Sequence, residues 1–323
     1  MKKLFVLFLC FCLLLPALGG CGEAAPREGG KLRVVATIFP LYDWLREIAG
    51  DRAEITLLMD SGVDLHSYQP RAKDVAEITS CDLLVYVGGE SDEWIGRALA
   101  AAGKKPRTVP LLDALGDAAK EEETAEGMQS SGEEENGETE YDEHIWLSLS
   151  NARSLCGVLA DRLAALDPEG AELYRANVDA YTEKLRELDG AYRAAAAGAK
   201  QKTLLFADRF PFRYLADDYG LSYFAAFSGC SAETEASFET VIFLAKKADE
   251  LGLGAILQIE TSDGSLARTV RDNTKTKDQK ILTLNSLQSV TADDVKNGAT
   301  YLSLMEENLE VLKAALGSAE DAR

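Results

Sequence analysis

The feature that most constrains the fold is a helical pattern in the middle of the chain, running from Asp167 to about Ala197. Asp167 is a good N-cap, Pro168 suits the first helical position, and Glu169 suits the positive end of the helix dipole. About 30 residues of helix would be about 45 Å long. Such a helix could run the full height of a two-lobed protein, so we expect one lobe on each side of it.

Short apolar runs alternate with longer helical patterns both before and after this helix. Strands alternating with helices favour a parallel sheet that is covered on both faces. The sequence therefore predicts an α/β fold with two similar lobes, each a mostly parallel sheet flanked by helices, joined by one long rigid helix. The predicted strands cover residues 32–38, 55–59, 83–87, 203–207, 222–227, 255–259 and 281–284; the other predicted helices cover 42–48, 72–78, 151–166, 237–250, 264–274 and 300–316.

The N-terminal segment has the features of an export signal. Two lysines precede an apolar run of 12 residues, which is too short for a membrane span of about 20. Small residues then precede Cys21, an order that resembles the lipobox of bacterial lipoproteins; an ordinary secretory signal with a chance cysteine is the alternative. The pattern predicts a signal peptide over 1–20, a lipidated Cys21 and an extracytoplasmic protein anchored to the bacterial cell membrane.

The domain boundaries follow from these segments. Residues 21–30 are predicted to be a lipidated tether, 31–166 an N-terminal α/β lobe, 167–198 the linking helix and 199–323 a C-terminal α/β lobe. Cys81, Cys156 and Cys230 remain after the signal and Cys21 are set aside, and an odd number at wide spacing does not indicate a disulfide framework. We interpret all three as small buried hydrophobic residues.

Charge is distributed unevenly along the chain. The formal net charge of −20 argues against nucleic-acid binding. Residues 121–143 contain eleven acidic residues and no Lys or Arg, which predicts a disordered acidic loop at about 117–142. One interpretation is a solvated loop that favours solubility, and the other is a loop that raises the local cation concentration.

The chain has only two histidines, His66 and His144, and both lie next to strand-like segments. Neutral imidazole is a good ligand for zinc and neighbouring metals. A single histidine is more often structural, and the spacing of two leaves the metal and the structural interpretations about equally supported. Their sequence contexts decide between the two.

Two motifs surround these histidines. The sequence resembles the solute-binding proteins of zinc and manganese ABC importers, which carry Gly-x-Asp-Pro-His-x-Tyr-x-Pro and Asp-Pro-His-Ile-Trp-Leu. The matching residues are Gly62, Asp64, His66, Tyr68 and Pro70 in the first motif, and Asp142, His144, Ile145, Trp146 and Leu147 in the second. Leu65 and Glu143 replace the two prolines. The resemblance covers nearly all of the mature chain and implies a metal between two lobes.

The ligands expected from the C-terminal lobe depart from the family pattern. The resemblance places the third ligand, His or Glu, at Arg209, which stays protonated and cannot bind a metal. The fourth position falls on Asn285, a weak ligand. We predict Asp208 as the replacement and Glu260 as the second choice; a salt bridge to Arg209 and a contact between the lobes are the respective alternatives.

The resemblance implies binding and delivery, and no enzyme activity is expected. The predicted ligand is zinc, with manganese as the alternative, and the predicted partners are the ABC permease and ATPase of a metal importer. We expect a monomer. A family member with an altered site that binds another ligand or acts as an adhesin remains an alternative, because of Arg209 and Asn285. A metal-dependent hydrolase is a further alternative, although no His-Glu-x-x-His motif is present.

Overall fold

A computed structural model describes residues 30–103, 105–129, 140–231 and 235–317 of the chain. All the elements below lie in one compact unit, Leu32–Arg323. The predicted signal peptide and Cys21 lie outside the described residues. Among the helices that are described, none combines the length and the apolar character needed to cross a membrane.

The first sheet has four parallel strands in the order β2-β1-β3-β4. Its strands are β1 (Leu32–Ala36), β2 (Ala53–Leu57), β3 (Leu83–Tyr86) and β4 (Arg107–Pro110), and its helices are α1 (Phe39–Ala49), α2 (Ala72–Ser80), α3 (Glu93–Ala101) and α4 (Leu111–Leu115). Successive residues of a strand point to opposite faces. Val34 accordingly packs into the main core, whereas Val35 packs with Ile78 and Trp94 on the other face.

Two helices follow the first sheet. Helix α5 (Leu149–Leu166) begins at Ser148, whose hydroxyl accepts a hydrogen bond from the backbone N–H of Asn151. Helix α6 (Ala171–Ala197) follows a short 3-10 turn, Pro168–Gly170. Helix α6 packs against α5 and α1, and it is the predicted linking helix.

The second sheet repeats the arrangement of the first. Its four parallel strands have the order β6-β5-β7-β8. The strands are β5 (Thr203–Phe210), β6 (Ser222–Ser228), β7 (Ala255–Ile259) and β8 (Lys280–Leu284); the helices are α7 (Arg213–Tyr219), α8 (Phe238–Leu251), α9 (Ser265–Asp272), α10 (Ala292–Lys296) and α11 (Tyr301–Leu316). Helix α11 packs against α6.

The two halves share one hydrophobic core. The largest cluster contains Val34 and Val85 from the first sheet together with Phe206 and Leu257 from the second. Trp146, in the first half, donates a hydrogen bond of 2.8 Å to the carbonyl of Ser286 in the second. Because apolar packing and hydrogen bonds cross between the halves, they hold the two sheets in a defined relation.

The predicted fold class is confirmed, and several elements differ in detail. Strand β4 and helices α3, α4, α7 and α10 were not predicted. Strand β5 was expected to end at residue 207 but continues to Phe210, because Arg209 and Phe210 still pair with β6 after an irregularity in the register that follows Phe206. A bulge of this kind turns the following side chains in a new direction, and Arg209 is one of them.

The prediction of disorder is wrong for the described parts of the acidic segment, which pack on the second half. Glu123 pairs with Arg213 at 3.4 Å, and Glu126 pairs with Lys247 at 3.3 Å. The backbone N–H of Gln129 donates to the carbonyl of Ala226, in strand β6. This part of the acidic segment is ordered because it forms ion pairs with basic side chains and a backbone hydrogen bond with strand β6. The amino-acid composition of the segment does not reveal these contacts. Residues 130–139 lie outside the described residues.

Candidate metal centre

His66 lies in a 3-10 turn, Leu65–Ser67, that follows strand β2. The turn is fixed by Asp64, whose Oδ1 accepts the backbone N–H of His66 at 2.9 Å. The His66 side chain is only 8% exposed. The aspartate of the first motif therefore positions the histidine through the backbone.

His144 immediately precedes a second 3-10 turn, Ile145–Leu147, and is fully buried. Oδ1 of Asp142 lies 2.8 Å from the backbone nitrogen of His144 and 2.9 Å from its Nδ1. One carboxylate oxygen thus fixes both the backbone and the ring. The aspartates of the two motifs perform the same local task two residues before each histidine.

The two imidazoles face each other through their Nε2 atoms, which lie 3.2 Å apart. The other ring nitrogens are already engaged. Nδ1 of His144 faces Asp142, and Nδ1 of His66 lies 2.8 Å from the hydroxyl of Ser91 and 3.9 Å from Oε2 of Glu143. These partners favour a proton on each Nδ1, so that in the neutral rings both Nε2 lone pairs are available to one metal ion.

Electrostatics differ between the two rings. Burial, together with the charge of His144, lowers the pKa of His66 to about 3. Burial alone would also lower the pKa of His144, but the charge and hydrogen bond of Asp142 outweigh it and raise that pKa. His66 is therefore neutral at neutral pH, as a metal ligand must be.

Cys230 is the third potential ligand at this point. Among the described residues, His66, His144 and Cys230 form a group whose ligand atoms all lie within 4.8 Å of one another. Cys81 and Cys156 are buried in hydrophobic cores, as expected. The expectation fails for Cys230, which is half-buried beside two imidazoles. One feature of the sequence points to Cys230 as a binding residue. It follows the predicted strand 222–227, and α/β folds place binding residues after their strands.

The backbone around Cys230 approaches His144 closely. An added Cβ at Gly229 would lie 3.1 Å from Cε1 and 3.2 Å from Nδ1 of His144, and 2.9 Å from the carbonyl oxygen of Phe210. The backbone N–H of Cys230 donates to Oε1 of Glu122 at 2.9 Å. Glycine at this position thus lets the loop after β6 pack directly on the buried ring.

The structure does not bring Asp208 or Glu260 into this group. Oδ1 of Asp208 accepts the backbone N–H of Arg209, and its Oδ2 accepts that of Ile259 at 3.2 Å. The carboxylate of Glu260 accepts three hydrogen bonds, one from the backbone of Ser286 and two from the hydroxyls of Ser286 and Ser289. As ligands, both residues stay predictions.

The two residues at the expected ligand positions have other partners. Nη2 of Arg209 forms an ion pair of 2.9 Å with Oδ2 of Asp64, and both side chains are largely buried. Asn285 accepts the backbone N–H of Leu287 through its Oδ1. Arg209 therefore neutralises the aspartate of the first motif and connects the two halves beside the histidines.

The chain has two similar parallel sheets and one long helix between them. Two ring nitrogens face each other at the candidate centre. These features are those of a two-lobed binding protein of the solute-binding class. Residues 34–315 match the model of the family described as the periplasmic component A of the zinc-uptake complex, ZnuA. Since this match covers most of the sequence, the chain belongs to that family.

Individual relatives agree with this assignment. The zinc-binding lipoprotein AdcA of Streptococcus pneumoniae is 36% identical over 317 residues, which is 97% of this chain and 61% of AdcA. The high-affinity zinc uptake system protein ZnuA of Bacillus subtilis is 30% identical, over 97% of both chains. The crystal structure of the Zn(II)-bound ZnuA-like domain of S. pneumoniae AdcA has a TM-score of 0.71 at 34% identity, covering 89% of this chain and 99% of that domain. The chain thus spans about three-fifths of AdcA.

Proposed function

We propose that this chain captures zinc between its two halves and delivers it to a membrane importer. The observation that carries the proposal is the pair of buried imidazoles, whose Nε2 atoms lie 3.2 Å apart. Two nitrogen ligands of a tetrahedral zinc ion, each bound at about 2.0–2.1 Å, would be about 3.4 Å apart. His66 and His144 therefore suit zinc capture without a large rearrangement.

The chemistry of the site favours zinc over manganese. Imidazole nitrogen is a preferred ligand of zinc, whereas carboxylate, carbonyl and water oxygens suit manganese. The aspartates of the two motifs, Asp64 and Asp142, hold backbone N–H groups and an arginine. They act here as orienting groups.

The importer would supply the partners of this chain. An ABC permease and its ATPase would receive the ion, and lipid on Cys21 would hold the protein, as a monomer, at the outer face of the cell membrane. Each buried CH₂ of an acyl chain contributes about 0.8 kcal/mol to such anchoring. The Cys21→Ala variant tests this step: it should lose lipid processing and membrane association, and an unchanged mass and location would contradict the anchor.

Metal analysis tests the proposed function directly. Protein purified without chelators should contain one zinc ion per chain, measured by native mass spectrometry and elemental analysis. Competitive titration of the metal-free protein should rank zinc above manganese. Absence of zinc binding in both experiments would favour the alternative of a member that has lost its metal site. Hydrolysis of esters or phosphate esters in the presence of zinc would instead favour an enzyme.

A further inference from the structure

We propose that Cys230 is the third zinc ligand, binding as a thiolate and closing the site from the C-terminal half. This inference rests on the proposed function, because it concerns the same ion. The sulfur and the two ring nitrogens form the group of potential ligands whose atoms lie within 4.8 Å of one another. A His₂Cys set is thereby assigned to this chain, in place of the carboxylates predicted from the sequence.

The position of Cys230 in the fold gives the ligand a mechanical role. His66 and His144 both precede the linking helix α6, and Cys230 follows it. Only a ligand from the second half can couple metal binding to the relation between the halves. Asp208 and Glu260 come from that half too, but backbone and hydroxyl groups already occupy their oxygens.

The loop that carries Cys230 is held at the site by independent contacts. The backbone N–H of Cys230 is bound by Glu122, and Gly229 lies against the ring of His144. The carbonyl of Ser228 accepts the backbone N–H of Ser231, which makes the loop a tight turn directly after β6. These contacts hold the backbone of the cysteine beside the rings. The thiol itself has a hydrogen bond with the backbone of Glu143, the residue that precedes His144, so the sulfur is held next to the second histidine.

The expected distances fit a single ion. Zinc binds thiolate at about 2.3 Å and imidazole at about 2.0–2.1 Å, so sulfur and nitrogen would be about 3.6 Å apart around a tetrahedral ion. Because the ligand atoms lie within 4.8 Å of one another, the sulfur and a ring nitrogen would have to approach each other by at most about 1.2 Å to bind one ion. Binding replaces the S–H bond by an S–Zn bond and releases the thiol proton to solvent, which balances the step.

A thiolate changes which metals the site accepts. Sulfur ligands select zinc and other soft or borderline ions, whereas manganese prefers oxygen. A site of two imidazoles and one thiolate should therefore exclude manganese more strongly than a site with a carboxylate in the third place. Cys230 would then be the residue in this chain that sets metal specificity.

Cobalt(II) spectroscopy tests the sulfur bond itself. Cobalt(II) substitutes for zinc at tetrahedral sites, and a cobalt–thiolate bond gives a charge-transfer band in the near ultraviolet. The reduced, metal-free mature protein should show this band on cobalt addition. Cys230→Ala and Cys230→Ser should lack it, and the matched control Cys81→Ala, at a buried cysteine in a different cluster, should retain it.

Zinc titration supplies the second readout. Cys230→Ala should weaken zinc binding at least about tenfold and narrow the preference for zinc over manganese, whereas Cys81→Ala should bind zinc like the parent. If the parent binds zinc but its cobalt complex shows no thiolate band, Cys230 is not a ligand and the proposed function stands. If neither the parent nor any variant binds zinc, the proposed function itself fails. Cys230→Ser preserves the size of the side chain but removes the sulfur. If Cys230→Ser loses zinc affinity as Cys230→Ala does, the loss is due to the missing sulfur and not to a packing defect.

Discussion

The two sides of the candidate centre are built differently. On the N-terminal side, His66 and His144 each have one nitrogen bound to a partner and one nitrogen directed at the centre. On the C-terminal side, Asp208 and Glu260 have both carboxylate oxygens engaged, and Cys230 has a sulfur beside the rings. The first side is thus recognisable from its motif, and the second only from its contacts.

This difference shows what decides whether a polar residue can serve as a ligand. A carboxylate at the edge of a sheet where binding residues lie is a chemical candidate for a ligand. If it accepts hydrogen bonds from backbone N–H groups, however, turning toward a metal would leave those donors unsatisfied. Such a buried, unsatisfied donor costs about 1–3 kcal/mol. Glu260 accepts three hydrogen bonds, so its recruitment would carry the larger cost.

The largest effect is expected on the N-terminal side. His66→Ala and His144→Ala each remove one of the two nitrogens at 3.2 Å, and we expect each to weaken zinc binding by at least about a hundredfold. The measurement is competitive zinc titration, with circular dichroism as the check of folding. If both variants fold and bind zinc like the parent, the metal-capture function is contradicted. The comparison between the N-terminal and C-terminal sides of the centre would then have no basis.

The next effect concerns the group that orients a ligand. Asp142→Asn removes the charge that fixes the Nδ1 proton of His144, and outer partners of metal-binding histidines typically contribute about 10–100-fold to affinity. We expect zinc affinity to fall about tenfold or more. Asp74→Asn is the matched control, because Asp74 is also buried but caps helix α2 through Arg71. An equal loss of affinity in both variants would indicate a general effect on folding.

A smaller effect is expected from moving the loop on the C-terminal side. Gly229→Ala would place a Cβ 2.9 Å from the carbonyl oxygen of Phe210 and 3.1 Å from the His144 ring, so the loop must shift away. We expect zinc affinity to fall several-fold, by up to about tenfold, with a lower melting temperature. Gly157→Ala is the control, because it lies in helix α5 with open space around the added Cβ. This variant should leave the zinc affinity unchanged and should not lower the melting temperature. Unchanged zinc binding by Gly229→Ala would show that the position of this loop is unimportant.

Periodicity was sufficient to predict most of the fold. Seven of the eight strands were located because short apolar runs stand out between helical patterns. Strand β4 was missed because Arg107, Thr108, Val109 and Pro110 give no continuous apolar run. The order within each sheet depends on packing between distant segments, which no local pattern contains.

The site was predictable only where a motif carried it. His66 and His144 lie in recognisable motifs, and the structure brings them together. Cys230 lies in no such motif, and its neighbour Glu122 belongs to a segment whose composition indicated disorder. The contact between these two residues depends on how the acidic segment packs on the second half. Residue types and spacing alone could not reveal it.

The smallest effect on affinity is expected from the carboxylates of the C-terminal side, and it tests the comparison most sharply. Asp208→Asn and Glu260→Gln retain the size of each side chain but weaken its hydrogen bonds to Ile259, Ser286 and Ser289. If these carboxylates are structural, zinc affinity should change by less than about threefold, while the free energy of unfolding falls by about 1–3 kcal/mol. Calorimetric zinc titration and urea unfolding of the metal-free proteins separate the two quantities. If either variant instead loses affinity tenfold or more at unchanged stability, the corresponding carboxylate is a ligand, as the sequence alone predicts, and must exchange its hydrogen bonds for the metal on binding.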